Sequence, residues 1–305
     1  MRVLVTGGAG FIGSHVVDAY LAAGWDVAII DTLATGRAEN VDRRARLYEV
    51  DVASPAVGEV FEQERPEVLN HHAAQASVPA SVRDPVEDAR VNALGAVNLL
   101  QHAVRTGVRK VVYASTGGAL YGEPERIPAD EDHPLRPLSP YGVSKYVGEV
   151  YLGLYRRLWK LRSFILRYAN VYGPRQDPLG EAGVVAIFAQ AMLAGRAPTI
   201  FGDGEQTRDF VYVEDVARAN LLATQSEVEG VANIGTGIET SINEVHRRIA
   251  ALTKHAAAPV HGPPREGDVY RIALDPTRAE RTLGWRPQVD LQTGLAHTTE
   301  WFRAR

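Results

Sequence analysis

A glycine-rich turn between an apolar strand pattern and an apolar helix pattern dominates the first twenty residues. The run from Val3 to Val5 precedes Gly7, Gly10 and Gly13, and an apolar helical pattern follows. This order of strand, glycine turn and helix is the context that a dinucleotide-binding fingerprint requires. The first glycine permits a tight turn, the second lets the backbone approach a pyrophosphate, and the third lets the helix pack on the strand.

The second predicted strand ends in an acidic residue that bears on the choice of dinucleotide. Asp26 to Asp31 form an apolar run that ends at Asp31, where a carboxylate accepts hydrogen bonds from the adenosine ribose. The same carboxylate repels a 2′-phosphate, so the sequence favours NAD over NADP as the cofactor. Arg37, a few residues later, acts in the opposite direction and weakens this preference.

The composition excludes several classes of function. The 305 residues carry a formal net charge of −4 and no dominant basic stripe, which argues against a nucleic-acid partner. The sequence contains no cysteine, which excludes disulfides, thiolate metal sites and a cysteine nucleophile. No apolar run approaches the roughly 18 residues that a membrane span requires, and no signal peptide precedes the first strand. We therefore expect a cytoplasmic protein that makes no membrane contact.

Apolar, β-branched runs alternate with helical patterns through the first half of the chain. This alternation is typical of a parallel sheet with helices on both faces, and it predicts an α/β fold with a doubly wound Rossmann sheet. The predicted strands are Val3–Thr6, Val27–Asp31, Leu47–Asp51, Val68–His71, Lys110–Ser115 and Ser163–Tyr168. The main predicted helices are Val86–Thr106 and Tyr141–Leu161.

The pattern changes after Tyr168, where glycine and proline become frequent and the segments shorten. Phe210–Val213 and Val231–Gly235 still predict strands, and Asp275 followed by Pro276 predicts a helix start with Asp as the N-cap. We therefore predict a dinucleotide-binding domain over residues 1–168, with a returning segment near 209–235. Residues 169–305 are predicted to form mainly a smaller α/β domain that binds the substrate.

The strongest catalytic signal is a tyrosine and a lysine four residues apart. Ser139 and Pro140 predict a helix start, which places Tyr141 and Lys145 on one helical face. A phenol with its ordinary pKa near 10 is a poor base at neutral pH. A nearby ammonium group favours the phenolate and lowers that pKa, and a nicotinamide cation acts in the same direction. The pair therefore predicts a proton acceptor for an alcohol that is being oxidised.

The predicted strand Lys110–Ser115 ends in two hydroxyl residues, Ser115 and Thr116. A hydroxyl at the carboxyl end of this strand faces the cofactor cleft, where it can hydrogen-bond the reacting oxygen and share its proton with Tyr141. We prefer Thr116 and keep Ser115 as the alternative. His71 and His72 are adjacent on a strand and point to opposite faces, so we predict no metal site.

Together, these motifs resemble the extended short-chain dehydrogenase/reductase family, and within it the enzymes that epimerise UDP-hexoses at C4. The resemblance covers nearly the whole chain. One departure is Gly117-Gly118, because many relatives have one residue fewer before the Tyr-Gly pair. Sugar-nucleotide 4,6-dehydratases have Thr-Asp-Glu here and use the two acids to eliminate water. This chain has glycines instead, so we do not expect a dehydratase. The matching segments are Thr6–His15, Asp31–Gly36, His72–Gln75, Ala114–Gly122, Ser139–Lys145, Arg167–Gln176, Arg208–Ala217, Asn233–Gly237 and Arg265–Asp268.

The resemblance implies a role for individual residues toward NAD. The pyrophosphate would contact Gly7, Gly10, Phe11, Ile12 and Gly13. The adenosine would contact Asp31, Leu33, Gly36, Asp51 and Val52. The nicotinamide and its ribose would contact Ala73, Ala74, Gln75, Tyr141, Lys145, Tyr168 and Val171.

The resemblance also implies a UDP-sugar site and a reaction. The substrate would contact Thr116, Tyr141, Asn170, Val184, Phe201, Arg208, Arg265 and Asp268. We expect epimerisation of UDP-glucose and UDP-galactose at C4. The alternatives are another UDP-sugar epimerase, acting on UDP-GlcNAc or UDP-glucuronate, and a UDP-glucuronate decarboxylase. A non-catalytic NAD-binding regulator is the alternative from a different class.

Two further expectations rest on the resemblance. Relatives adjust the width of the sugar pocket at the position of Ile272, whose intermediate size leaves N-acetyl sugars open. Relatives also form homodimers through the helices that correspond to Val86–Thr106 and Tyr141–Leu161. Four apolar residues suit burial in such an interface or in the core: Val91, Leu94, Leu99 and Leu100.

Overall fold

A computed structural model describes residues 1–178, 183–264 and 269–305 of the chain. Within these residues the strands are β1 (Arg2–Thr6), β2 (Asp26–Asp31), β3 (Arg46–Glu49), β4 (Val68–His71), β5 (Lys110–Thr116), β6 (Arg162–Tyr168), β7 (Asn170–Tyr172), β8 (Thr199–Phe201), β9 (Thr207–Arg208), β10 (Phe210–Tyr212), β11 (Gly230–Ile234), β12 (Thr240–Ser241) and β13 (Val260–Gly262).

The helices alternate with these strands. They are α1 (Phe11–Ala22), α2 (Val57–Glu64), α3 (Val78–Arg83), α4 (Pro85–Ala89), α5 (Gly95–Thr106), α6 (Gly117–Leu120), α7 (Pro140–Trp159), α8 (Val184–Leu193), α9 (Val213–Gln225), α10 (Ile242–Thr253), α11 (Thr277–Leu283) and α12 (Leu291–Arg303). The predicted helix Val86–Thr106 is interrupted by a π-helical turn at Arg90–Leu94. No described helix combines the length and hydropathy needed to cross a membrane.

Seven parallel strands form the central sheet in the order β11-β6-β5-β4-β1-β2-β3. The chain runs outward from β1 to β3, returns to β4 on the other side of β1, and continues outward to β11. The order therefore reverses between β1 and β4, and ligands of such sheets bind at the carboxyl ends of the strands at this point. The predicted Rossmann sheet is confirmed.

Alternate residues of the central strands pack into cores on the two faces of the sheet. Leu4 and Ile30 belong to one core cluster, while Val3, Val5 and Ile29 belong to the cluster on the other face. Both faces are thus covered, which explains why β1 and β2 have continuous apolar sequences. The covered faces leave the strand ends as the accessible part of the sheet.

The second half of the chain adds three small sheets to the central one. They pair β10 with β7, β12 with β9, and β13 with β8. The predicted strand at Phe210 therefore lies outside the central sheet, whereas β11 returns to it and pairs with β6. The division of the chain into domains at residue 168 stays a prediction.

Several predicted element ends differ from the structure by one or two residues, and two of them lie next to an Asp. β3 ends at Glu49, so Asp51 lies in the following turn, where its Oδ1 accepts a hydrogen bond from Ala53 N at 2.8 Å. The last predicted helix begins at Thr277, one residue later than predicted, with Pro276 as its N-cap. A turn that Asp51 stabilises follows the end of β3, and Asp275, whose Oδ1 accepts from Thr277 N at 2.9 Å, stabilises a turn just before α11. Such Asx turns compete with helix and strand.

Two glycines on helices test how much the fold depends on close packing at the glycine turn. A Cβ at Gly13 would overlap the Gly7 carbonyl, whereas a Cβ at Gly153 in α7 would meet no heavy atom within 4 Å. We expect Gly13→Ala to lower the free energy of unfolding by about 1–3 kcal/mol because of overpacking. Gly153→Ala should raise it by about 0.5–1 kcal/mol through helix propensity. Urea unfolding of both variants measures the difference, and equal effects would contradict the packing role of Gly13.

Candidate active site

The turn after β1 brings three backbone segments together. Gly7 has a φ of +70°, and a Cβ there would lie 2.7 Å from the amide nitrogen of Ala73, which follows β4. A Cβ at Gly10 would lie 3.2 Å from the Gly7 carbonyl oxygen. No side chain caps the N-terminus of α1, the helix that begins after Gly10. The turn is therefore a cradle of backbone atoms at a positive helix end, which suits a pyrophosphate.

The Asp31 carboxylate is fixed at the end of β2 by backbone donors. Its Oδ2 accepts from Ala9 N and its Oδ1 accepts from Leu33 N, both at 2.9 Å. Leu33 has a positive φ of 58°, which turns the chain back toward the carboxylate. A Cβ at Gly36 would lie 2.8 Å from Asp31 Oδ1. Each oxygen retains a lone pair, so the carboxylate can still accept hydrogen bonds from a ribose.

A cleft of about 610 Å³ opens at these strand ends, and this volume lies in the range of cofactor sites. Most of the residues predicted to bind NAD line it. They are Gly7, Gly10, Phe11, Ile12, Gly13, Asp31, Gly36, Asp51, Val52, Ala73, Ala74, Gln75, Tyr141, Lys145 and Tyr168. Leu33 and Val171 lie outside the cleft wall that the described residues form. Leu33 acts instead through its backbone on Asp31, and Val171 packs against a core cluster.

The side chain of Gln75 contacts its own loop rather than an open space. Its Nε2 donates to Ser77 O at 3.0 Å and to Asp88 Oδ1 at 2.9 Å. Asn92, in the π-helical turn, accepts from Gln75 N at 2.8 Å and donates to Ser144 Oγ at 3.1 Å. Asn92 therefore ties the Gln75 loop to α7, a role that nothing in its sequence context predicts.

Ser139 begins α7 and thereby sets the positions of Tyr141 and Lys145. The Ser139 side chain accepts from Gly142 N at 3.2 Å, and Pro140 occupies the first turn, as predicted. Lys145 is 3 % exposed and its Nζ lies 4.5 Å from the centre of the Tyr113 ring. Both the tyrosine and the lysine line the cleft, so the phenol and the ammonium group are available to a ligand there.

Burial shifts both groups toward their neutral forms. It raises the pKa of Tyr141 to about 12, although a hydrogen bond with Thr116 acts in the lowering direction. This direction is opposite to the one we predict from Lys145: loss of solvent is the largest cause, and the negative charge of Asp88 acts in the same raising direction. Burial also lowers the pKa of Lys145 to about 8, against the opposing charges of Glu149 and Asp88. A cation next to the phenol lowers the pKa of Tyr141 again.

The structure distinguishes the two candidate hydroxyls. Ser115 lines the cleft, but its Oγ donates to Glu149 Oε1 at 2.6 Å, so its hydroxyl proton is already taken. Thr116 is the hydroxyl that bonds Tyr141, and its Oγ1 also accepts from Ala119 N at 3.2 Å to cap α6. The helix α6 contains the two unusual glycines, and a Cβ at Gly117 would overlap Leu274. This arrangement supports Thr116 as the catalytic hydroxyl.

An ion pair beneath the site holds α7 against β6. Arg167 Nη2 lies 2.7 Å from Glu149 Oε2, and both side chains are 6 % exposed. Glu149 also accepts from Ser115, which ties β5 to the same carboxylate. Because Glu149 follows Lys145 by one helical turn, this cluster fixes the helix face that carries Tyr141 and Lys145. The Y-x-x-x-K spacing gives no sign of this partner.

The predicted substrate residues come from several elements of the second half of the chain. Asn170 Oδ1 and Thr116 Oγ1 both lie 3.9 Å from the point where a Cβ of Gly118 would be, so both side chains border Gly118. Val184 begins α8, Phe201 ends β8, and Arg208 ends β9. Arg208 Nη1 donates to Thr207 O at 2.8 Å. Arg265 and Asp268 lie outside the described residues.

Ile272 occupies a core position in the structure. It is 1 % exposed and belongs to a cluster with Tyr121, Ala129 and Leu274. It is absent from the wall of the cleft that the described residues form. An effect of its size on the sugar pocket stays a prediction.

The two adjacent histidines take separate hydrogen bonds. His71 Nδ1 lies 2.7 Å from Thr6 Oγ1, and His72 Nε2 lies 3.1 Å from Tyr168 OH. Among residues 1–178, 183–264 and 269–305, no group of three or more His, Cys, Asp or Glu side chains is arranged to hold a metal ion.

A segment from the second half of the chain forms part of the cleft wall, and no role was predicted for it. Arg175, Gln176 and Asp177 all line the cleft. Arg175 Nη1 lies 2.7 Å from Asp18 Oδ2 of α1, and His15 Nε2 lies 3.0 Å from Pro174 O. The matching segment Arg167–Gln176 includes Arg175 and Gln176, but the resemblance implied ligand contacts only for its earlier residues, Tyr168, Asn170 and Val171.

Comparisons with known proteins agree with this geometry. The profile of the NAD dependent epimerase/dehydratase family matches residues 3–235. The UDP-glucose 4-epimerase of Mycolicibacterium smegmatis is 49% identical over 309 residues, which cover 99% of each chain. The UDP-glucose 4-epimerase of Thermotoga maritima, solved with UDP-glucose, superimposes with a TM-score of 0.98 at 49% identity over 100% of this chain and 99% of that one. The enzyme of Thermus thermophilus, solved with NAD, gives 0.95 at 49% identity over 99% of each.

The lowered pKa of Lys145 makes a prediction for stability. The pKa is about 8 in the folded protein and 10.5 ordinarily, so the charged lysine opposes folding fully below pH 8. This penalty declines between pH 8 and 10.5 and disappears above. Without NAD, we expect Lys145→Met to raise the free energy of unfolding at pH 7 by up to about 3 kcal/mol.

Urea unfolding at pH 7 and at pH 10 measures this gain, which should shrink at the higher pH. Lys160→Met, which changes an exposed lysine at the end of the same helix, is the control and should give no comparable gain. A loss of stability in Lys145→Met at pH 7 would contradict the account of Lys145.

Proposed function

The chain belongs to the NAD dependent epimerase/dehydratase family, and we propose that it interconverts UDP-glucose and UDP-galactose at C4 of the hexose. The observation that carries the proposal is the pair of Tyr141 and buried Lys145, one helical turn apart on α7 and both in the wall of the cleft. Identity of 49% to UDP-glucose 4-epimerases over essentially the full length selects this reaction among those of the family. The protein is accordingly an NAD-dependent isomerase that works through a transient 4-keto sugar.

The cleft fits NAD. The glycine cradle and the N-terminus of α1 suit the pyrophosphate, Asp31 suits the adenosine ribose, and Lys145 suits the nicotinamide ribose. Arg37, the residue that would weaken the preference for NAD, lies 3.4 Å from Asp177 and 3.8 Å from Glu39, so acidic partners occupy its guanidinium. When bound, NAD supplies a reversible hydride acceptor for the hydrogen at C4.

Tyr141 moves the proton of the C4 hydroxyl. As the phenolate it takes this proton while C4 is oxidised to the ketone, and it returns the proton to O4 when C4 is reduced. Thr116 bonds Tyr141, so its hydroxyl can hold the reacting oxygen and pass the proton on. Lys145 supplies a positive charge on the same helix face, which favours the phenolate at the moment of transfer.

Inversion at C4 requires that the 4-keto sugar turns over while the UDP part stays bound. We assign the grip on UDP to Asn170, Val184, Phe201 and Arg208, together with Arg265 and Asp268. An arginine fork suits this task because it can bind phosphate oxygens in pairs. Asn170 and Thr116 both border Gly118, so Asn170 would bind the substrate in the neighbourhood of Thr116.

We further propose that the protein is a homodimer. Helix α7 presents an exposed apolar face, and α3 and α4, which pack on α7, extend it. The exposed apolar residues are Val82, Val86, Val143, Tyr146, Val150, Tyr151, Leu158 and Trp159. Leu94 is also exposed, whereas Leu99 and Leu100 belong to the core and Val91 lines the cleft, so these three are not interface residues. The cytoplasmic location stays a prediction.

Removal of the phenol tests the proposed chemistry. We expect Tyr141→Phe to lower the conversion of UDP-galactose into UDP-glucose by at least about 10²-fold, the contribution of a general acid–base, while NAD still binds. Proton NMR of the anomeric region follows the conversion, and NAD binding is measured in parallel. Tyr146→Phe, which changes an exposed tyrosine of the same helix, should leave turnover within twofold. Full activity in Tyr141→Phe would refute the mechanism.

A charge placed on the apolar face tests the dimer. Burying an unpaired carboxylate in an interface is costly, so Val150→Asp should convert a dimer to a monomer. Size-exclusion chromatography with light scattering reports the mass. Val260→Asp, an equally exposed valine on β13, is the control and should leave the dimer intact. A monomeric wild-type protein at micromolar concentration would contradict the proposal.

A further inference from the structure

Asp209 is a buried carboxylate that directly follows Arg208, between β9 and β10. It is 1 % exposed, and its side chain accepts hydrogen bonds from four donors. Oδ1 accepts from Thr236 N at 2.8 Å and from Thr236 Oγ1 at 2.6 Å. Oδ2 accepts from Gly237 N at 3.0 Å and from Leu274 N at 3.1 Å. Asp209 therefore joins β9 to the turn after β11 and to the segment before α11.

The position of Arg208 depends on the segment that Asp209 holds before α11. Arg208 Nη1 donates to Thr207 O at 2.8 Å and to Tyr270 O at 3.4 Å. Tyr270 O also accepts from Thr207 N at 3.0 Å. Tyr270 lies four residues before Leu274, which donates to Asp209. Asp209 thus sets both the backbone next to Arg208 and the segment that supplies one of the carbonyls contacted by its guanidinium.

Asp209 is itself fixed on its other sides. Its backbone O accepts from Asn170 N at 2.8 Å, where β7 begins to pair with β10. A Cβ at Gly235, in the turn after β11, would overlap Asp209 Oδ2 and would lie 3.2 Å from Ala169 Cβ. The packing around the carboxylate leaves no room for an added methyl group. The segments that bond to Asp209 are therefore placed relative to a rigid point.

A carboxylate is suited to this position because it only accepts hydrogen bonds and does so at two oxygens. An asparagine of the same shape has one acceptor oxygen, so it leaves some of these donors without a partner. Burial raises the pKa of Asp209, and the hydrogen bonds from Thr236, Leu274 and Gly237 act in the lowering direction. Enclosing a carboxylate is costly, but a fully satisfied buried network specifies one arrangement of the segments that it joins.

We propose that Asp209 is a positioning residue for the substrate: it fixes Arg208 in the arrangement that binds the diphosphate of UDP. Its burial keeps the carboxylate itself from touching the substrate. The proposal rests on the proposed function and on the role assigned to Arg208, and it adds the residue through which the fold holds that arginine. A rigid hold on UDP is what the reaction requires here, because only the sugar turns over.

The test is the affinity of the NAD-loaded protein for UDP, measured by isothermal titration calorimetry on four forms. These are the wild type, Asp209→Asn, Arg208→Met and the double variant. Loss of one hydrogen bond from the guanidinium to phosphate predicts about tenfold weaker binding in Asp209→Asn. Because Asp209 acts through Arg208, the double variant should bind UDP within about twofold of Arg208→Met alone.

Kinetics give a second readout. Asp209→Asn should raise the KM for UDP-galactose by about tenfold while kcat stays within about threefold, since the grip on UDP is lost and the proton-transfer groups are not. Its affinity for NAD should equal that of the wild type.

Asp215 provides the matched control. It is also buried, at 2 % exposure, and its Oδ2 accepts from Gln288 N at 2.9 Å and from Val289 N at 3.0 Å. It lies on α9 and holds the segment after α11. Asp215→Asn should therefore lower the free energy of unfolding, as Asp209→Asn does, and leave the affinity for UDP unchanged. A loss of UDP affinity in both variants would contradict a specific role for Asp209.

If Asp209→Asn gives no folded protein, Thr236→Val takes its place, because it removes one donor to Asp209 and keeps the shape of the side chain. It should weaken UDP binding by about threefold, and this loss should disappear in the Arg208→Met background.

Two results would overturn the inference while leaving the proposed function intact. One is unchanged UDP affinity in the Asp209 variant, or in Thr236→Val where that variant replaces it. The other is a loss that persists in full when Arg208 is already methionine. Failure of the wild type to convert UDP-galactose would overturn the proposed function, and full UDP affinity in Arg208→Met would overturn the role of Arg208 on which the inference rests.

Discussion

The rest of the site depends on a close backbone contact between the turn after β1 and the loop after β4. Gly7 and Gly13 leave no room for side chains, so the turn, the start of α1 and the loop after β4 touch directly. That contact puts the positive end of α1 beside Ala73 and opens the cleft at the reversal of strand order. Asp31, held by two backbone donors, closes the far side.

Burial then determines the electrostatics of the catalytic groups. It raises the pKa of Tyr141 to about 12 and lowers that of Lys145 to about 8, so at neutral pH the tyrosine is a neutral phenol and the lysine still carries its charge. The ion pair between Glu149 and Arg167 holds the helix that carries both groups, at the cost of enclosing two charges. A tyrosine in such a site becomes a base only when positive charge is brought next to it. This couples proton transfer to occupation of the cleft by the oxidised dinucleotide.

Local patterns predicted the parts of the structure that local rules control. The strands β1, β2 and β4, the start of α7 at Ser139 and the glycine turn all follow from short-range sequence signals. Short-range sequence signals did not predict the contacts between distant segments. These contacts join Asn92 to Ser144, Glu149 to Arg167, and Tyr168 to Asn220. The pKa direction of Tyr141 was wrong for the same reason, because enclosure by the whole fold decides it. The sequence favoured Thr116 over Ser115 as the catalytic hydroxyl, but only their hydrogen-bond partners in the structure distinguish the two.

The measurement that tests the central claim most directly follows the hydrogen at C4. If C4 is oxidised and reduced within one bound complex, this hydrogen leaves the sugar and returns to it without exchange with water. Conversion of unlabelled UDP-galactose in deuterium oxide, with NMR of the UDP-glucose formed, should show no deuterium at C4. Deuterium at C4 would contradict the account, because it would mean that the hydrogen moves as a solvent-exchangeable proton.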